Sequence, residues 1–218
     1  MDKWEETQYT AKSPIKKPRV LYTIPTGANP SGGTMTLQRR QQVYKIAQAH
    51  DLLILEDDPY YYLQFTKDRL PSLFSMDTDA RVLRFDSFSK ILSSGIRVGT
   101  VTGPKTLVQQ LCLHTQAVNL HPSGLSQMAV YKLLQHWGEE GFEAHIDFVQ
   151  NFYLKQRNHF LKSAEKHLTG LAEWSTPSAG MFVWIKLLNV EDSFKLIREK
   201  AVDEKVLLIP GNAFSSTE

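Results

Sequence analysis

The stretch "RFDSFSKILSSGIRVG" gathers residues whose types and spacing suit one piece of chemistry. Lys90 has Ser87 and Ser89 just before it and Arg97 seven residues after it. A lysine normally snorkels its ammonium to solvent; this one is placed to be held. Two hydroxyls and a guanidinium make a good anion site, because arginine offers a planar fork of donors matched to phosphate. Elsewhere, Asp57 closes the apolar run "LLILED". A carboxylate there is costly unless a cation or hydrogen-bond donors meet it. A plain Asp57–Lys90 ion pair would satisfy that need, but it leaves Ser87, Ser89 and Arg97 unexplained.

The elements around these residues bring them to one place. "RVLYTIP", Arg19 to Pro25, reads as a strand, and "TGANPSGGT" is a Gly/Pro/Asn loop carrying Asn29. Thr36 then caps a helix through "LQRRQQVYKIAQAH", with Val43, Ile46, Ala47 and His50 on one face. "LLILED", Leu52 to Asp57, has the pattern of a strand buried on both faces. Strand, helix, strand in this order is a βαβ unit, which makes the two strands parallel. "RVLRFD", Arg81 to Asp86, and "IRVGTVTG", Ile96 to Gly103, are the next strands. Asn29, Asp57 and the Ser87–Ser89–Lys90 group each fall just past the carboxyl end of a strand, the edge where open α/β sheets bind ligands. A phosphate site, an amine and a carboxylate in one cleft suit a phosphorylated cofactor whose other end is a nitrogen base and an aldehyde. Pyridoxal 5′-phosphate fits: its aldehyde condenses with lysine, its pyridinium needs an acid and its phosphate needs donors.

The remainder reads as helices from Lys105 to about His167, broken at "HPSG" (121–124) and "GEEG" (138–141). Strand character returns in "GMFVWIKL", then a helix near Glu191 to Asp203, then a strand "VLLIP". The pattern predicts an α/β fold in two units, 1–140 and 141–218, with the boundary near Gly141.

Composition narrows the function class. The 25 basic and 23 acidic residues nearly balance, with a net charge of +2, so no basic face argues for nucleic acid. The cluster Lys12, Lys16, Lys17 and Arg19 reads as a solvated surface segment. No apolar stretch approaches a membrane span, and the N-terminus shows no apolar signal region. The single cysteine, Cys112, suits a reducing compartment and reads as a buried thiol. "GTVTGPKT" is not a phosphate loop, because Pro104 separates glycine from lysine. The histidines show no metal-ligand spacing. Tyr61 and Tyr62 read as packing or interface residues, and "GMFVWI" as core.

Five stretches, "PTGANPSGGTMTLQRR", "LLILEDDPYYYLQF", "DSFSKILSSGIRVGTVTGP", "LTGLAEWSTPSAGMFVWIK" and "VLLIPGNAF", together resemble the class I, fold-type-I pyridoxal-phosphate aminotransferases. Within them the sequence is most similar to the kynurenine/2-aminoadipate aminotransferases. The resemblance implies a mostly parallel-sheet large domain, here incomplete, and the start of a smaller α/β domain. It implies that Lys90 condenses with the cofactor aldehyde and later shuttles a proton. It selects Asp57 as the partner of the pyridinium nitrogen; alternation alone leaves Glu56, Asp57 and Asp58 open, with Asp57 opposite the other two. It implies that Tyr60 and Asn29 hydrogen-bond the cofactor's phenolic oxygen and that Asn29 also reaches the substrate carboxylate. Ser87, Ser89 and Arg97 take the phosphate, with Gly95 and Gly99 allowing close backbone approach beside it.

The implied reaction moves an amino group from 2-aminoadipate, kynurenine or another large or aromatic amino acid to a 2-oxo acid such as 2-oxoglutarate, in a homodimer. Relatives run considerably longer, so the resemblance predicts a partial chain and an incomplete sheet. The arginine that clamps the substrate carboxylate and the aromatic that stacks on the pyridine ring have no counterpart here. The expected location is soluble and intracellular, mitochondrial by resemblance or cytoplasmic. Three alternatives differ in class or chemistry: a truncated non-catalytic dimer partner, the aminotransferase-like domain of a transcription regulator, and lyase chemistry on the same scaffold.

Overall fold

Apolar runs separated by a capped helix fold here as the βαβ pattern requires. The computed structural model describes residues 17–215. Strand β1 (Val20–Thr23) leads through a loop to helix α1 (Leu37–Ala49), then to β2 (Leu53–Asp57) and β3 (Val82–Ser87). Both neighbouring pairs are parallel, with Tyr22 beside Leu55 and Asp57 beside Phe85. Strand β4 (Gly99–Thr102) returns antiparallel along β3. The sheet order is β1-β2-β3-β4. Helices α2 (Lys105–Val118) and α3 (Gly124–Leu168) follow, then the antiparallel pair β5 (Ala172–Trp174) and β6 (Ile185–Leu187). Helix α3 is interrupted at Gly138, whose φ of 61° and ψ of −167° lie outside the helical region.

Thr36 caps α1 as its position predicts, accepting the Arg39 N–H at 3.2 Å. The buried face of α1 differs from the expected one: it is Arg40, Tyr44 and Ala47, while Ile46 is exposed. The reason lies in the polar ends of these side chains. The Tyr44 hydroxyl meets Asp79 at 2.5 Å and Thr78, and the Arg40 guanidinium meets backbone carbonyls, so both bury their apolar stems at little polar cost. Tyr44 and Ala47 pack with Ile54 and Val82 of the sheet and with Leu73 of the segment between β2 and β3.

A second cluster lies past the carboxyl edge of the strands. Tyr60, Leu63 and Ile91 pack with Ile146 of α3, joined by Phe88, Phe142, Met181 and Phe182. This fixes the turn carrying Lys90 against the turn after Asp57. His145 adds a ring-nitrogen contact to the Ile91 carbonyl at 2.7 Å, and Trp137 stacks on His145.

Several expectations are corrected. Strand β2 is not buried evenly on both faces. Ile54 and Glu56 are buried, whereas Leu53, Leu55 and Asp57 are half-buried on the side where Val20 and Tyr22 are exposed. "GMFVWIKL" is strand only at Ile185–Leu187. Its first part turns at Gly180 (φ 78°) to pack against the loop at Gly27 (φ 52°), where a β-carbon on Gly27 would lie 2.7 Å from the Gly180 Cα. The helix expected near Glu191 to Asp203 is centred on π-type turns at Leu196–Ala201. "VLLIP" forms no strand among the described residues, with Leu207 and Ile209 exposed. Cys112 is exposed rather than buried, because α2 buries none of its residues. Lys12 and Lys16 of the basic cluster lie outside the described residues; Lys17 and Arg19 are exposed. No helix among the described residues is long and apolar enough to cross a membrane.

Candidate active site

Strand alternation sorts the acidic run Glu56-Asp57-Asp58. Glu56 faces the α1 side and is fully buried, accepting the backbone N–H groups of Leu73 at 2.7 Å and Phe74 at 2.9 Å. Asp57 faces the other side and stays half-buried. It accepts the Tyr22 hydroxyl at 2.5 Å, from the strand alongside. That bond, followed by burial and the Asp57 charge, pushes the Tyr22 hydroxyl up to about 12.

Tyr60 follows Asp57 at the start of the turn Tyr61–Leu63. It is buried, with Phe182 edge-on at 5.4 Å between centroids. Burial raises its pKa, and the nearby Asp57 charge raises it further. The Lys90 ammonium lies 5.9 Å from the centre of the Tyr60 ring. No ion pair within 4.0 Å joins Lys90 to Asp57 among the described residues, so the simple pairing of the two is not formed.

The anion-site residues meet as one hydrogen-bonded chain. The Ser87 hydroxyl ends β3 and caps the turn Phe88–Lys90, accepting the Ser89 N–H at 3.2 Å. Arg97 takes a left-handed conformation (φ 53°, ψ 39°) after the turn Ser94–Ile96. It donates to the Ser89 hydroxyl at 3.4 Å and to the Ser94 carbonyl at 3.2 Å. Arg97 is exposed, so most of its donors face outward. Gly99 lies on β4 beside the end of β3. A β-carbon there would lie 2.6 Å from the Asp86 carbonyl, so the glycine is needed by the β3–β4 ladder. Gly95 is loosely surrounded, with only the Ser93 hydroxyl near, at 3.8 Å.

Asn29 is exposed in the loop between β1 and α1 and precedes a cis proline. The loop is closed at its base by Met35 N–H to Pro25 O at 2.8 Å and Gly27 N–H to the Thr34 hydroxyl at 3.0 Å. Asn29, Asp57, Ser87 and Lys90 thus follow or end the three parallel strands on one edge of the sheet.

Sequence reasoning missed the groups behind this edge. Arg84 is buried and forms a bidentate pair with Asp86 (2.7 and 2.8 Å), with Asp58 at 3.7 Å and its guanidinium 4.3 Å from the Tyr61 ring centre. These carboxylates hold the Arg84 guanidinium firmly protonated against the burial that opposes it. Neither Asp58 oxygen has a hydrogen-bond partner within normal range among the described residues, and both are shut off from solvent. Burial therefore pushes Asp58 up to about 7, only partly offset by Arg84. The alternation of "LEDD" signals which acids share a face; nothing in the sequence signals that Arg84 and Tyr61 would meet them. Tyr62 packs edge-on with Phe142, and Arg69 lies over its ring and pairs with Glu143 of α3. Beside this network a cavity of about 370 Å³ opens between Asp58, Asp86 and Ser87 on the sheet edge and Leu134 and Phe142 of α3. Lys90, Asp57 and Asn29 do not line it.

The family description "Aminotransferase class I and II" matches residues 5–218. The chain is 54% identical over 205 residues to the mitochondrial kynurenine/alpha-aminoadipate aminotransferase of Rattus norvegicus, covering 94% of this chain and 48% of that protein. It is 48% identical over 215 residues to the protein of the same name from Bos taurus, covering 98% of this chain and 50% of that one. Among solved structures, an alpha-aminoadipate aminotransferase from Thermus thermophilus, complexed with N-(5′-phosphopyridoxyl)-L-leucine, superposes with a TM-score of 0.87 at 32% identity. That match covers 98% of this chain and 53% of that one. A kynurenine aminotransferase from Pyrococcus horikoshii, in complex with PMP and kynurenine, gives a TM-score of 0.86 at 31% identity and covers 98% of this chain and 52% of that one. The chain therefore spans about half the length of the relatives it matches.

Proposed function

This chain belongs to the class I and II aminotransferases and has their fold-type-I architecture, and from that premise we propose that it carries the cofactor-binding half of a pyridoxal-phosphate aminotransferase site. The observation that carries the reading is the Ser87–Ser89–Arg97 donor chain wrapped around the turn that ends at Lys90. Two hydroxyls and an outward guanidinium beside a lysine, with a carboxylate on the next strand, form a donor set that fits a phosphorylated aldehyde on a basic ring. Ser87, Ser89 and Arg97 hold the phosphate. Asp57, oriented by the Tyr22 hydroxyl, would pair with the ring nitrogen. Tyr60 and Asn29 donate to the phenolic oxygen, and Asn29 also reaches the substrate carboxylate. The Lys90 amine anchors the cofactor and moves the proton at the substrate α-carbon. When bound, the cofactor supplies an electron sink for carbanion charge at that carbon.

The substrates we assign are those in the relatives' names: 2-aminoadipate or kynurenine as amino donor, with a 2-oxo acid such as 2-oxoglutarate as acceptor. The likeness favours an enzyme over a regulator or a non-catalytic partner, because the matched proteins are named as aminotransferases. A homodimer, a division near Gly141 into large- and small-domain portions, and an intracellular location, mitochondrial as in the named mammalian relatives or cytoplasmic, complete the reading. The test is product analysis with pyridoxal phosphate, 2-aminoadipate and 2-oxoglutarate. Glutamate and 2-oxoadipate in equal amounts support transamination. Cofactor binding with release of ammonia or an eliminated fragment instead assigns lyase chemistry and overturns the reading.

A further inference from the structure

Arg40 is fully buried, yet among the described residues no carboxylate lies within salt-bridge distance of it. Its donors go almost entirely to backbone. Nε donates to the Met35 carbonyl at 3.2 Å, one terminal nitrogen to the Pro71 carbonyl at 3.0 Å, and the other to the Pro25 carbonyl at 3.2 Å and the Thr26 hydroxyl at 2.9 Å. Pro25 and Met35 are the two ends of the loop that carries Asn29. Arg40 itself sits in the first turn of α1, whose Tyr44 and Ala47 are locked into the sheet core. A guanidinium is the side chain that can reach several diverging carbonyls from one rigid plane; an ammonium offers a single point. Burial opposes its charge, and the more distant Asp58 and Glu56 charges support it.

We propose that Arg40 is the positioning residue of the Asn29 loop. It ties both ends of the loop to α1, and through α1 to the sheet edge that carries Asp57 and Lys90. It touches neither cofactor nor substrate; it sets where Asn29 is held. The Gly27–Gly180 contact is then the far wall against which the tethered loop rests. The link from loop order to ligand binding rests on the function proposed above, whereas the tether itself does not.

The experiment compares wild type, Arg40→Lys and Thr26→Val by amide hydrogen exchange and by pyridoxal-phosphate binding. The loop reporters are the amides of Ala28, Gly32 and Met35, each bonded within the loop. The sheet reporters are the amides of Ile54 and Asp58. In Arg40→Lys the loop amides exchange about tenfold faster while the sheet amides keep their rate, and cofactor affinity falls by about tenfold, the scale of one lost charged hydrogen bond. Unchanged loop exchange in folded Arg40→Lys, or an equal acceleration of loop and sheet, overturns the proposal, because the latter is what a merely structural residue gives. Faster loop exchange with unchanged cofactor affinity also overturns the positioning role. If Arg40→Lys does not fold, Thr26→Val decides: roughly threefold faster loop amides with the sheet unchanged support the tether, and no change rejects it. Wild type that folds but binds no cofactor counts against the proposed function, and the exchange comparison still decides the tether.

Discussion

Asp57 and Asp58 are neighbours in sequence and opposites in circumstance. Asp58 is buried, as are Glu56, Arg84 and Arg40, whose hydrogen bonds go to the Leu73 and Phe74 N–H groups, to Asp86 and to the ends of the Asn29 loop. Asp57 lies across the sheet with Tyr22, at an edge where Arg97 keeps outward donors and Lys90 has no ion-pair partner among the described residues. One residue of strand alternation separates a carboxyl shut inside the fold from one left at the sheet edge where a ligand could meet it. The charged residues of the first region are spent on the protein itself; those of the second are held in place but left with unused capacity.

The comparison can be broken by substitution on each side. The largest effect falls on the closed side. Glu56→Ala leaves the buried Leu73 and Phe74 N–H groups without their acceptor and empties the space the carboxylate filled, and a loss of about 3 kcal/mol is expected in urea unfolding. Asp57→Asn in the same assay changes stability by less than about 1 kcal/mol, while pyridoxal-phosphate binding is strongly weakened. If both substitutions destabilise equally, the division is wrong.

Next in size is the anion site. Arg97→Gln removes a charged donor from a phosphate, worth about 1.5–3 kcal/mol, or roughly 10- to 100-fold in the cofactor dissociation constant. Stability is expected to be unaffected because Arg97 is exposed. Equal affinity of wild type and Arg97→Gln would move the phosphate elsewhere.

Asp58 gives a pH test. Its folded pKa, about 7, lies above the ordinary carboxylate value of 3.8. Between those values the folded chain holds a proton that the unfolded chain has lost, so this group makes stability fall as pH rises from about 4 to about 7. The slope is up to roughly 1.4 kcal/mol per pH unit. Asp58→Asn is expected to remove that slope, so the difference between variant and wild type grows across the window. A difference that does not vary with pH would place an ionised, well-partnered carboxylate at Asp58.

The smallest effect sharpens the open side. Tyr22→Phe removes one exposed hydrogen bond from Asp57, and a stability change of about 1 kcal/mol or less is expected, together with a few-fold loss of cofactor affinity. A larger stability loss would make Tyr22–Asp57 a structural pair.

Local patterns make much of this legible. The capping threonine, the βαβ order and the parallel pairing of β1, β2 and β3 follow from residue types and spacing. So does the gathering of Asn29, Asp57, Ser87 and Lys90 along one edge. What stays hidden depends on contacts distant in sequence. The α1 face escapes a periodicity reading because Arg40 and Tyr44 count as polar until their partners are known. "GMFVWIKL" has strand composition, but the Gly27–Gly180 contact bends its first part into a wall of the Asn29 loop. "VLLIP" has strand composition without a neighbouring strand among the described residues. The Arg84–Tyr61–Asp58 arrangement joins segments whose meeting no spacing rule announces.

The most direct measurement is reduction with borohydride after addition of pyridoxal phosphate, followed by peptide mapping of the labelled lysine. Label is expected on Lys90, and its loss is expected in Lys90→Ala that remains folded. Label on another lysine, or none on a folded wild-type chain, would contradict the assignment of Lys90 as the cofactor's anchor.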